Sequence, residues 1–512
     1  MTAGQVAAGQ VTAMDETPAM AVAPGAPEEH GTRLRNNALN LLGNVGLALG
    51  SAAPTASIAL TLAAIVAASS YASPVAILII GLPMLGIAAA FKRLNRWHVN
   101  CGATYQWGAR AISPYYGFMV GWLIFLAYFV GVISICLPIG PYLISLFGNA
   151  QSRLGEAIIG SAAVVAVTVV AYIGIRVAAW VQWVLIAIEY IGITILAVYC
   201  LAAVFGHHAG SVPFSFSWFS WSSLGGVSGF IAASLIAVYM FSGWDTGIMV
   251  NEETENARET PGNAVMLSVV VLALLYAFFT FAFQGAVTSK ALQANGADAL
   301  SYIAQQVAGS ALAKYMILAV ALSAVGSTLA TLVSGVREAF AMGADGVLPR
   351  ALARTHPRFR TPSLATVIIG VLAVIGTWVY ILGSSSVQNS FDTIVAVDGM
   401  LFALFYAFTG ITMVVYFRRM AAAGPRNAVT MLAIPLISAA FLLYVVWKSV
   451  PGLGGWTSGS LISLYVLLGI GAAIMVYARA TGSAYFATPR EVFQPGAGPV
   501  PASQLPERQP TD

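Results

Sequence analysis

Three carboxylates fall inside apolar stretches of this chain. Glu189 is the only charged side chain between Val177 and Trp244. Asp245 ends the run Tyr239-Met-Phe241-Ser242-Gly243-Trp244-Asp245-Thr246-Gly247, and Asp398 follows Ile394-Val-Ala-Val. An ionised carboxylate in hydrocarbon is costly, so such a residue is neutral, paired or functional. Burial favours the neutral form of a carboxyl, and a group held that way can load and release a proton. Glu189 is therefore the candidate coupling residue. The plainer alternative is a protonated carboxyl hydrogen-bonded between helices.

Two segments are interrupted. The first reads Leu47-Ala-Leu-Gly50-Ser51-Ala52-Ala53-Pro54-Thr55-Ala-Ser57. Pro54 has no N–H and clashes with the carbonyl four residues back, which predicts a helix break. The second is the run ending in Asp245, with Gly243 and Gly247 as breakers. A half-helix starting after the first break offers free N–H groups and positive dipole to a carboxylate, through Ser51, Ala52, Ala53 and Thr55. A half-helix ending at Phe241, Ser242 and Gly243 offers carbonyls to an ammonium. The alternative is that these small residues simply pack helices closely. Ser323, Ser327, Thr328 and Thr331 could supply oxygens to sodium, with Ser327 and Thr328 foremost, or bond their own helix carbonyls. His207 and His208 have no third ligand nearby and read as loop residues rather than a metal site.

These residues need elements to hold them. Of 512 residues, 59% are hydrophobic and 8% charged, against roughly 25% charged in soluble chains. Asn36 to Phe91 and Tyr190 to Trp244 carry no charge from Asp, Glu, Lys or Arg beyond their ends, each long enough for two crossings of ~20 residues. Spans are expected at about 38–68, 74–92, 115–147, 156–175, 178–205, 226–250, 262–288, 309–342, 363–383, 392–417, 428–448 and 458–478. That is an all-α polytopic bundle of about twelve transmembrane helices. Residues 1–35 and 479–512 read as disordered tails. An even number of crossings puts both tails on one side. With Arg153, Lys290, Lys314 and Lys448 on the other, 19 of the 23 basic residues fall on the tail side, which predicts cytoplasmic termini. Cys101, Cys136 and Cys200 form no motif and read as small buried residues.

Several segments resemble the amino acid–polyamine–organocation superfamily of permeases. Phe241-Ser-Gly-Trp-Asp245, Asn251-Glu-Glu-Thr-Glu-Asn256 and Pro261 resemble its F-x-G-aromatic-acid, E-E-x-x-N-P and P pattern. Ser334-Gly-Val-Arg337, Met342, Asp345-Gly346, Leu348-Pro349 and Thr361-Pro362 resemble its S-x-R, M-x-R-D-G-x-L-P and T-P pattern. Cys101-Gly-Ala-Thr-Tyr105 with Gly117 and Gly121-Trp122 is similar to its G-G-x-Y and G-F-x-x-G-W segment. The resemblance covers roughly residues 36–480. Ala257, Ala344 and the sequence Gly50-Ser-Ala-Ala-Pro54 depart from it, the last where many members have G-[ST]-G. It implies a LeuT-type 5+5 inverted repeat with broken helices 1 and 6. The first five helices occupy 36–205, the second five 226–417, and two peripheral helices 428–478. It places an aromatic closing over substrate at Tyr239 and links an acid at Asp245 to gating or pH response. Gly174-Ile-Arg176, Gln182 and Glu189 resemble a segment in which a lysine replaces sodium; here that last residue is acidic.

The resemblance thus implies a permease importing a small amino acid or amine across the plasma (inner) membrane. Proton symport is the leading coupling, with sodium symport or exchange as alternatives. Paired broken helices in corresponding positions point to the central site. No catalytic triad, metal-ligand spacing or phosphate loop suggests an enzyme, and neither a cofactor nor a nucleic-acid partner is expected. A channel would show a repeated pore motif, and a sensor would carry a larger soluble domain.

Overall fold

A computed structural model describes residues 33–148, 152–383, 387–421 and 424–491. The expected N-terminal tail therefore lies almost wholly outside the described residues, as does the part of the C-terminal tail beyond 491. The spans are α1 in two halves, α1a (Leu41–Ser51) and α1b (Pro54–Ser69); α2 (Ser73–Trp97); α3 (Pro114–Cys136); α4 (Arg153–Ile173); and α5 (Ile175–Phe205). The sixth, α6, is again in two halves, α6a (Gly226–Phe241) and α6b (Thr246–Met249). Then follow α7 (Thr260–Gln284), α8 (Ser310–Ala344), α9 (Ser363–Gly383), α10 (Val387–Ala421), α11 (Ile434–Ser449) and α12 (Gly459–Ala480). Among the described residues, 11 stretches are long and apolar enough to cross a membrane. The first of them, Leu41–Trp97, has 57 residues. At ~1.5 Å per residue it measures far more than one ~30 Å crossing, and the turn at Ser70–Ala72 divides it into α1 and α2. Counting it twice gives the twelve spans expected.

Local sequence sets the helix ends. The Asn40 side chain accepts from Gly43 N at 2.9 Å to start α1a, and Ser113 caps α3 ahead of Pro114. Gly174 lies at φ 144° between α4 and α5, a conformation open to glycine.

The packing repeats every five helices. α2 packs on α7, α3 on α8, α4 on α9, and the broken pair α1b and α6a on each other. Helix k meeting helix k+5 is what a two-fold relation between five-helix halves produces. A second grouping cuts across the first: α1, α2, α6 and α7 form one packed body, and α3, α4, α8 and α9 another. α10 packs on both α3 and α6a, α11 on α2 and α10, and α12 along α3.

The end of the bundle nearest the chain termini is tied by polar contacts between these bodies. The segment after α6b pairs with the chain ahead of α1 through Ala38 N and Leu39 N on Glu253 O (2.7 and 3.0 Å). The Glu253 carboxylate accepts from Arg337 of α8 through Nε (2.8 Å) and Nη2 (3.2 Å), both residues fully buried. The chain beyond α12 also joins this end, where the sequence suggested a tail. Tyr485 stacks on Tyr105 (ring centroids 4.6 Å apart), and Glu491 pairs with Arg110 at 2.6 Å. Its aromatic residues and one ion pair hold residues 483–491 down.

Removing one partner of a buried ion pair strands the other charge, at about 3–5 kcal/mol. Arg337→Ala is therefore expected to lose most of its monodisperse folded fraction in detergent chromatography. The apolar double variant Arg337→Met/Glu253→Leu should recover it, and an equal loss in the double would refute desolvation as the cause.

Candidate functional site

The two interruptions come together at the centre of the bundle. In α1 the first half ends at Ser51, Ala52 keeps right-handed dihedrals, Ala53 turns into the left-handed region at φ 44°, and Pro54 opens α1b as its first residue. In α6 the break runs from Ser242, extended at ψ 147°, through Gly243 at φ 95°. A methyl group at Gly243 would sit 2.6 Å from Ser51 Oγ and 2.9 Å from its carbonyl carbon. The breaks therefore touch backbone to backbone, and glycine is required there for both conformation and space.

Freed backbone groups in an apolar interior need partners, and neighbouring hydroxyls supply them. Ser327 Oγ donates to Ser51 O at 2.5 Å, and Ser57 Oγ to Ala52 O at 2.8 Å. Tyr276 OH lies within hydrogen-bond distance of Ala52 O (2.9 Å) and Met240 O (2.6 Å), so one phenol bridges both breaks. Gly243 N donates to Tyr406 OH at 3.2 Å, and Asn44 Nδ2 to Gly247 O at 3.0 Å. Ser51 Oγ and Thr331 Oγ1 are 3.3 Å apart.

A small cavity lies against the breaks. Ser51, Ala52 and Ala53 line it with Tyr239 and Ser242, and α8 contributes Ala324 and Ser327. No charged side chain is in its wall. Of the residues expected to meet substrate, five line the cavity and three do not. Thr55 is turned toward Glu189, Phe241 packs edge-on against Tyr276 (centroids 5.4 Å apart), and Gly243 is pressed on Ser51. The expected breakers also divide. Pro54 and Gly243 bound the breaks, whereas Gly50 is inside α1a and Gly247 inside α6b. Gly50 instead leaves room for the Gln182 side chain. Thr328 Oγ1 donates to its own helix at Ala324 O (2.7 Å) and Ser327 Oγ donates to Ser51 O, so the lone pairs of both hydroxyls remain free.

The three interior acids are held differently. Asp245 is saturated: Tyr406 OH donates to Oδ1 at 2.6 Å and Tyr128 OH donates to Oδ2. Glu189 is fully buried beside the first turn of α1b, with Thr55 and Ser323 as its polar neighbours, and its Oε2 makes no hydrogen bond among the described residues. Asp398 accepts from Ser134 Oγ at 3.2 Å, and its Oδ1 has no partner among the described residues. Sequence reasoning overlooked Tyr128, Tyr276 and Tyr406. The signal was present, because a tyrosine in an apolar span must find a partner for its hydroxyl. His207 and His208 are exposed, and no group of metal-binding side chains occurs among the described residues.

A membrane bundle whose first and sixth helices break around a shared cavity defines the LeuT-type class of fold. The chain is similar in structure to the manganese transporter of Eremococcus coleocola, at TM-score 0.59 and 16% identity over 86% of this chain and 94% of that one. That likeness speaks to the fold. The chain belongs to the amino acid permease family, whose model matches residues 39–473. Among curated proteins it is 26% identical over 304 residues to a transporter of Mycobacterium tuberculosis described as uncharacterized, spanning 58% of this chain and 64% of that one. It is 24% identical over 335 residues to the low-affinity putrescine importer PlaP of Escherichia coli (65% and 70%). To the human cationic amino acid transporter 4 it is 24% identical over 287 residues (53% and 44%).

Gly243→Ala tests the contact between breaks. It forces a left-handed alanine, at ~1–2 kcal/mol, and drives a methyl into Ser51. A lowered melting temperature and loss of transport are expected in protein that still inserts; wild-type melting would place the breaks further apart.

Proposed function

We propose that this chain is a secondary active transporter, a permease importing a small amino acid or related amine across the plasma (inner) membrane by proton symport. Alternating access takes place around the breaks in α1 and α6, with both termini cytoplasmic. The observation that carries the reading is the cavity at the junction of the breaks, walled by helix ends and hydroxyls with no charged side chain. Such a wall suits a small solute whose charges are met by main-chain dipoles. The names of the relatives, a putrescine importer and a cationic amino acid transporter, favour solutes bearing an amino group.

Substrate enters the cavity between α1, α3, α6 and α8. The start of α1b presents its positive end, and the end of α6a its carbonyls. Tyr239, in the wall, closes over the solute. The Glu253–Arg337 pair ties the two packed bodies at the cytoplasmic end, and its parting opens the inner path. Asp245, fixed by two phenols, holds the α6 break in shape and acts on gating rather than on substrate.

Coupling falls to Glu189. Its carboxyl sits behind the first break, one residue layer from Ala56 of the cavity wall, with one oxygen unpartnered. Protonation there removes a buried charge next to α1b, and deprotonation restores an anion at a helix N-terminus, which favours it. Either change alters how α1b sits against α8. Sodium symport is the alternative reading, in which Ser327 and Thr328, whose hydroxyls donate to protein carbonyls and keep their lone pairs, would ligate the ion.

The test is uptake into proteoliposomes at several pH values, with and without sodium. Wild-type uptake should fall as external pH rises and ignore sodium. Glu189→Gln should flatten the pH dependence while keeping counterflow exchange. An unchanged pH profile in that variant removes Glu189 from coupling, and absence of exchange for every amino acid and amine sinks the transporter reading.

A further inference from the structure

Asp398 is an interior acid that the proposed cycle does not use. It is fully buried on α10, accepts one hydrogen bond of 3.2 Å from Ser134 Oγ, and leaves Oδ1 without a partner among the described residues. Asp245, on the neighbouring helix, accepts from two phenols. The contrast matters because a buried carboxylate oxygen without a donor carries its full desolvation cost.

Among the described residues its surroundings come from four helices, and none of the side chains there is a cation. α3 supplies Ser134 and Gly131, where a methyl group would lie 3.6 Å from Asp398 Oδ2 and 3.2 Å from Thr331 of α8. α6a supplies Tyr239 and α9 supplies Tyr380. Two of these neighbours belong to the cavity region. Tyr239 is in its wall, and Thr331 touches the hydroxyl of wall residue Ser51. Asp398 therefore lies one layer of side chains behind the cavity wall, beside Tyr239. α10 passes beside Tyr239, since a methyl at Gly399 would meet Tyr239 Cβ at an ordinary contact distance of 3.6 Å.

We infer that Asp398 is the counter-charge for a second, distal cationic group on the substrate, reached when the Tyr239 ring moves aside. The substrate class is then a compact solute with two separated cationic amines: an aliphatic diamine, or an amino acid with a cationic side chain. One amine is met by the carbonyl end of α6a and the other by Asp398. The inference rests on the reading of the cavity as the substrate site.

The experiment uses the full chain in proteoliposomes with labelled 1,4-diaminobutane, lysine and alanine. Each dication is paired with a competitor lacking the distal amine, n-butylamine for diaminobutane and norleucine for lysine. In the wild type the truncated competitor should bind about tenfold or more weaker than its parent, the scale of one charge-assisted hydrogen bond. Which parent is taken up distinguishes a diamine from an amino acid. Asp398→Asn should raise KM for the cationic substrate by a similar factor, and Asp398→Glu should retain part of the affinity. Equal potency of parent and truncated competitor overturns the inference, as does an unchanged KM in Asp398→Asn. Uptake confined to alanine overturns it while leaving the transporter reading intact; no uptake of any solute overturns both. The competition needs only the wild type, so it decides even if Asp398→Asn does not fold.

Discussion

Two places in this bundle expose main-chain amide groups at mid-membrane depth, and much else follows from having to satisfy them. Lipid offers no hydrogen bonds, so a helix broken in hydrocarbon survives only if protein covers the break. Here each break covers the other. Gly243 lies against Ser51, Tyr276 bridges Ala52 O and Met240 O, and α8 reaches in with Ser327. The helices that must supply these groups are α3, α7, α8 and α10, which explains why they crowd α1 and α6. The space left over between incompletely matched helix ends is the cavity.

The same economy of polar groups sorts the interior acids. Asp245 has a donor for each oxygen and reads as structural within the break. Glu189 and Asp398 each keep an oxygen without a partner among the described residues. A proton is the simplest partner for one that Thr55 and Ser323 face, with Tyr190 and Tyr276 nearby. A substrate cation fits the one that sits behind the aromatic wall. At the bundle's end, Glu253 and Arg337 apply the opposite solution, pairing completely and binding the two packed bodies.

The architecture was legible in the sequence for a physical reason: hydrocarbon allows few alternatives, so charge-free runs and basic clusters report spans directly. The break at Pro54 and the glycine at Gly243 were legible too, because each carries a backbone constraint in its own chemistry. What could not be read was which side of a helix a residue faces once regularity is lost. Thr55 turns to Glu189, Phe241 turns to Tyr276, and Gly50 accommodates Gln182. Their neighbours along the chain line the cavity. The partners of the tyrosines that complete the site lie 36 to 224 residues away along the chain, so local sequence does not identify them. The start of the C-terminal tail was misplaced for a similar reason: Tyr485 and Glu491 are held by Tyr105 and Arg110, which local composition does not reveal.

A site between the breaks makes a direct demand on Ser242, which lines the cavity and bonds only within its own helix, to Tyr239 O. In Ser242→Cys, the rate of labelling by a small thiol reagent should fall in the presence of transported solute, with half-protection near its KM. The native Cys101, Cys136 and Cys200 are buried and should contribute little background. Labelling at a rate indifferent to every transported solute would contradict a substrate site at the junction of α1 and α6.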